Sequence, residues 1–160
     1  MLNNEHEDNL LKKLMKQEET LVFDTFSLEM AHEIGERLYQ KAYERRLPVA
    51  IDITRCGQQL YHAALPGSTA DNDAWILRKS RVVMRFGQSS YYWGAYLEHS
   101  KKSMEEDFYL SSSEYAPHGG SFPITLRNTG VIGTITVSGL PSEEDHALVV
   151  EVLEEYLILG

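Results

Sequence analysis

Three arginines, Arg78, Arg81 and Arg85, recur at spacings of three and four residues, and Lys79 stands among them. Wound as a helix from Asp71 to Phe86, this stretch puts the arginines on one narrow face. A guanidinium fork matches a carboxylate or a phosphate, so such a face can grip an anion. The same face could be merely solvated, or could bridge to acids such as Asp71 and Asp73 across a subunit contact. Lys79 falls elsewhere, in the middle of the apolar face formed by Trp75, Ile76, Val82, Val83 and Phe86. An ammonium there either snorkels to water, pairs with an acid, or meets an anionic ligand. The helical phase predicts that Lys79 is mostly buried and has an acidic or hydrogen-bonding partner, with Asp52 and Asp73 as candidates. Beyond Gly87, the hydroxyl-rich run of Ser89, Ser90, Tyr91, Tyr92 and Trp93 is placed to line a pocket beside the arginines.

A second group of candidates is His118-Gly119-Gly120. Two glycines beside a histidine can leave backbone amides free for a ligand, as in oxyanion loops. No Gly-x-Ser-x-Gly elbow accompanies them, so a loop that admits Phe122 to a strand is the simpler role. His62, His118 and His146 are the candidate ligands for a metal or haem iron, though none lies in a metal-binding spacing. His62 shares a strand face with Leu60 and Ala64 and reads as a core histidine. The strand acids Asp24 and Asp52 show no partner that would make an acid–base pair. No phosphate-binding glycine motif is present. The site predicted from these residues is Arg78, Lys79, Arg81, Arg85, Ser89 and Tyr91 facing His118, Gly119 and Gly120, around an anionic or planar ligand.

The elements that must hold these residues follow from hydrophobic period and punctuation. Residues 5–19 form a helix with a narrow stripe of Leu10, Leu11, Leu14 and Met15, which must dock on something. Residues 21–26 read as a strand, and Ser27 as the cap of a helix running to Arg46. Residues 49–56 and 58–65 make a hairpin, 71–86 a helix, and 95–108 a polar surface helix. Residues 109–121 form a loop. A second hairpin, 122–127 and 131–139, turns at Asn128-Thr129-Gly130, with Pro123 at a sheet edge. Ser142 caps a last helix with Glu143, Glu144 and Asp145 in its first turn. Five strands, two hairpins and no βαβ alternation make an antiparallel sheet covered by helices.

The 160 residues predict one domain, 1–160, with residues 1–20 as a helical extension of a domain over 21–160. A net charge of -9 argues against nucleic acid, which needs a basic surface. Residues 71–102, with six Lys/Arg and three Asp/Glu, form a +3 island in that acidic chain. Such an island attracts a small anion. A single cysteine, Cys56, excludes an internal disulfide and suits a reducing compartment. With no signal-like N-terminus and no apolar run of about 20 residues, a cytoplasmic protein without membrane contact is expected.

His118-Gly119-Gly120-Ser121-Phe122-Pro123-Ile124, the run Gly130 to Gly139, Glu144-Asp145-His146, and Pro66-Gly67 followed by Asp71 to Trp75 and Arg78-Lys79 together resemble the haem-degrading-domain family. GlcG-like and HbpS-like proteins are among its relatives. The resemblance covers roughly residues 20–158. It implies a profilin-like, GlcG-like five-stranded antiparallel sheet with helices on both faces, assembled as a homo-oligomer. Some relatives bind haem or a corrinoid-linked haem; no haem-ligating residue carries over. Haem or another anionic small ligand is thus one expectation, and a non-catalytic assembly or adaptor module the alternative.

Overall fold

The computed structural model describes residues 2–159. The elements are α1 (Leu2–Thr20), α2 (Leu28–Glu44), β1 (Ala50–Arg55), β2 (Gln58–Ala64), α3 (Ala70–Phe86), α4 (Ser90–Ser100), α5 (Met104–Phe108), β3 (Ser121–Leu126), β4 (Gly130–Ser138) and α6 (Ser142–Glu154), which runs into a π-helical turn, Glu155–Leu159. The strands form one antiparallel sheet in the order β2-β1-β4-β3, two hairpins joined through β1 and β4. The chain is therefore an α+β domain with helices on both sheet faces.

Strand alternation gives the two faces opposite characters. One carries Ile51, Ile53, Phe122, Ile124, Ile135 and Val137, which meet α2 and α6 in the main core. The other carries Asp52, Ser121, Thr134, Thr136 and Ser138, all buried, and α3 lies over it. Ser121 and Thr136 pair hydroxyl to hydroxyl at 2.9 Å, and Ser90 Oγ accepts the Ser121 amide at 3.0 Å. Asp52 accepts from Thr54 Oγ1 and Gln59 Nε2, both at 2.6 Å. A smaller core joins Val82 to Trp93, Leu97, Met104 and Leu110.

Four strands, not five, make up the sheet among the described residues. The expected strand at 21–26 reduces to a single parallel bridge, Phe23 to Leu126. Leu21 and Phe23 are buried on one side as a period of two implies, and Phe26, out of that phase, is buried because the chain bends at Asp24 towards the α2 cap, where Ser27 Oγ accepts the Met30 amide at 3.1 Å. The expected helix at 95–108 is two helices. Ser89 caps the first, which opens at Ser90, and Lys101, at φ 55°, ends it; Ser103 then caps α5. Nor is α4 a polar surface helix: Trp93 and Leu97 are buried, with Phe86 centred 4.0 Å from Trp93. Pro141, not Ser142, stands at the cap of α6. Pro123 lies in β3, an edge strand, as its missing N–H requires.

The β1–β4 contact has a steric condition at Gly133. A Cβ there would stand 2.1 Å from the Thr54 carbonyl oxygen, on a backbone that cannot retreat. Gly133→Ala is expected to cost about 2–3 kcal/mol and to lower Tm by roughly 5–10 °C, measured by calorimetry.

Candidate functional site

Lys79 points from α3 onto the polar sheet face and is 4% exposed. Its Nζ donates to Asp145 Oδ2 at 3.0 Å and to the Val137 carbonyl at 3.3 Å. Asp145, in the first turn of α6, is fully buried and also accepts the amides of Gly139, at 3.3 Å, and Leu140, at 3.0 Å. Burial pushes Lys79 down and Asp145 up; their mutual attraction, and for Asp145 the two amides, oppose that shift. With three donors converging on the carboxylate, the ionised pair is the form the geometry satisfies. The partner is thus neither Asp52, which is occupied by Thr54 and Gln59, nor Asp73, which meets His62.

Beside this pair lies a cleft of about 360 Å³, between the first half of α3, His118 and the turn Ser138–Ser142. The Trp75 ring forms one wall, and His118 stands edge-on to it at 5.5 Å between centroids. Partial burial, then Lys79 and Arg78, lower the His118 pKa, so its imidazole is neutral near pH 7. Behind His118, Gly119 and Gly120 let main chains approach closely. A Cβ on Gly119 would sit 2.1 Å from the Ser142 carbonyl oxygen. One on Gly120, at φ 138°, would sit 2.3 Å from the Val137 carbonyl oxygen and 2.8 Å from Lys79 Nζ.

The arginine face lies outside this cleft. Arg78 donates through Nε and Nη2 to the Ser112 carbonyl, at 3.1 and 2.6 Å, while stacking over Trp75 at 4.5 Å. Arg81 donates to the Glu114 carbonyl at 3.2 Å, and Arg85 lies over the Tyr115 ring. The row fastens the loop after α5, whose carbonyls take the place of an anion's oxygens. Ser89 is a buried helix cap, and Tyr91 lies on His146 with ring centroids 4.8 Å apart, on the far side of Gly119. His62 is not a core histidine: it is exposed and held 2.7 Å from Asp73. His146 is buried against Gln17 Oε1 at 2.9 Å, and burial pushes its pKa to about 4. Lys79, His118, Gly119 and Gly120 are therefore brought together; the remaining predicted residues are not.

Sequence reasoning missed Asp145, although its signal was present. Asp145 shares a helical face with Val149, Val152 and Leu153, which are all buried, so the phase argument used for Lys79 applies to it unchanged. Trp75, expected on the core face of α3, instead walls the cleft. Among the described residues, no group of three or more His, Cys, Asp or Glu could hold a metal ion, and no helix is long and apolar enough to cross a membrane.

Sheet, flanking helices and a small cleft over a buried ion pair define an α+β domain with a compact, partly polar cleft. The chain belongs to the family described as haem degrading protein HbpS-like, whose model matches residues 26–154. It is 53% identical over 145 residues to a "UPF0303 protein" of Streptomyces coelicolor, covering 91% of this chain and 92% of that one. Its fold matches the crystal structure of Ybr137w protein with a TM-score of 0.85 and 36% identity, over 91% of this chain and 86% of that one. The crystal structure of a PduOC:Heme complex shares the fold at a TM-score of 0.66 and 14% identity, over 81% of this chain and 93% of that one.

Removing one partner of the buried pair strands the other. Lys79→Met is expected to destabilise the fold by about 3–5 kcal/mol near pH 7. The orphaned Asp145, already raised by burial, then takes up a proton on acidification, so the deficit should shrink as pH falls from 7 to 5. Urea unfolding of both proteins across that range measures it. A deficit independent of pH would mean that lost packing, not an orphaned charge, is responsible.

Proposed function

We propose that this protein binds a small planar carboxylate in the cleft between α3 and the Ser138–Ser142 turn. The supporting observation is the third N–H of Lys79. Two of its donors are taken by Asp145 and Val137, and the third has no acceptor among the described residues, while Lys79 lines the cleft. A ligand carboxylate placed there completes the ammonium's hydrogen bonds, Trp75 supplies a flat apolar wall, and neutral His118 gives a second polar contact. Asp145 already neutralises Lys79, and Glu143 and Glu144 stand in the first turn of α6. A monoanion therefore suits the site better than a dianion.

Haem enters through the family's description and through the haem-complexed structural neighbour, PduOC. Neutral His118 suits an iron ligand, but the cleft around it does not fit the group. Asn72, Ser138, Ser142 and the ion pair make about half of its wall polar, and about 360 Å³ lies at the small end for a ligand pocket. A tetrapyrrole would find an edge and no apolar slot.

Benzoate, with benzamide as the neutral control, tests the reading. Benzoate is expected to raise Tm and shift tryptophan emission, with benzamide far weaker. His118→Ala should cut benzoate affinity about tenfold, near 1.4 kcal/mol, without unfolding the exposed site. One equivalent of haem should leave the Soret band unshifted. No response to benzoate would remove the cleft reading, and a shifted Soret band lost in His118→Ala would restore haem.

An assembly role is the second reading, favoured by one observation. Leu77 and Met84, seven residues apart on α3, are 57% and 50% exposed. In that reading the chain self-associates through this flank. Light scattering is expected to show a homo-oligomer that Leu77→Glu with Met84→Glu dissociates; a wild-type monomer stable to dilution counts against it.

A further inference from the structure

Helix α1 is fastened to α4 by groups that take up protons. His99 presents Nδ1 to Glu7 Oε2 at 2.9 Å and Nε2 to Asp8 Oδ1 at 3.0 Å. A neutral imidazole carries one N–H, so it can satisfy only one of the two carboxylates; the imidazolium satisfies both. Three turns further along α1, Glu18 Oε1 accepts the Ser89 amide, while Glu18 Oε2 is buried with no hydrogen-bond partner. A carboxylate there leaves charge unsolvated inside the contact, whereas a carboxylic acid does not. Between the two ends, Leu14 is 2% exposed.

We propose that α1 is a proton-controlled latch: with Glu18 and His99 protonated it lies closed on α4, and with both deprotonated it lifts away.

The surrounding charges are consistent with this direction. Burial pushes Glu18 from 4.5 up to about 7, opposed by the Ser89 amide, and its titratable neighbour on α4 is Tyr92. The hydrogen bond to Glu7, then the charges of Asp8 and Glu7, raise His99. On the α6 side, Lys13, Lys16, Glu143, Glu151 and Glu154 border the grooves along α1. His146, pushed down to about 4, is neutral throughout the range that matters. Both raised groups bind protons more tightly in the closed form. The closed form is therefore favoured at acid pH, and that preference is lost as pH rises through about 7 for Glu18 and above 6.5 for His99. Opening would bare Leu14 and withdraw the α1 wall, Leu10 to Gln17, from the groove of about 290 Å³ that Tyr91 and His146 border in the closed form.

Hydrogen-exchange protection factors, which remove the intrinsic pH dependence of exchange, test the latch on the full chain at pH 5.5, 7.0 and 8.5. Amides of α1 should lose protection on the order of 100-fold between the extremes, while those of β4 keep theirs. Glu18→Gln cannot ionise and still accepts the Ser89 amide, so α1 should retain most of its protection at pH 8.5. His99→Gln should loosen the Glu7 end even at pH 5.5. Unchanged α1 protection across the range, an equal loss in β4, or a Glu18→Gln profile identical to wild type each overturns the proposal.

Discussion

The Lys79–Asp145 ion pair is the constraint around which the rest is arranged. Withdrawing two charges from water costs several kcal/mol per ion, and attraction alone does not recover it. Here the deficit is met by geometry: two amides and an ammonium converge on one carboxylate, and a carbonyl takes a second ammonium proton. Those contacts come from α3, the end of β4, the following turn and α6. Four separate pieces of chain must be in place before the pair is tolerable. The pair is thus weak as a source of stability and strong as a specification of how α3 seats on the sheet.

The polar sheet face under α3 is satisfied independently of that pair. Lys79 and Asp145 use each other and backbone groups. Ser121 and Thr136 pair hydroxyl to hydroxyl, Ser90 Oγ accepts the Ser121 amide, and Asp52 is satisfied within its own hairpin. Hydroxyl networks of this kind are directional, so they resist sliding in a way that an oily contact does not. The glycines belong to the same requirement. Gly120 leaves room for the ammonium, and Gly119 lets the loop reach the Ser142 carbonyl.

How far the sequence was legible follows from whether each signal is local. Periodicity placed α2, α3, both hairpins and α6 within a few residues, because caps and alternation are properties of neighbouring residues. It identified Lys79 as buried for the same reason. It failed at 21–26, where alternation recorded burial of Leu21 and Phe23 but could not say whether a partner strand ran alongside. It failed at Lys101, whose left-handed φ of 55° breaks the helix with no glycine to announce it. The arginines do form a row on α3, but the row is a fastening and not a pocket wall. Its acceptors are the carbonyls of Ser112 and Glu114, and backbone oxygens leave no mark in a residue pattern.

The same distinction separates the two polar regions of the molecule. In the cleft, Lys79 and Asp145 satisfy each other, so a proton moving there would break an existing bond, and what remains open is one N–H and a neutral imidazole. Under α1 the opposite holds. Glu18 Oε2 has no partner and His99 has one carboxylate more than a neutral ring can satisfy, so a proton arriving there completes the contact. Saturated ion pairs hold a fold in one arrangement; unsaturated ones make an arrangement conditional on pH. Tyr91 lies between the two regions, close to the His146 ring in the groove under α1 and adjoining Gly119, the residue after His118. It is thus a side chain common to the conditional contact and to the loop that carries His118.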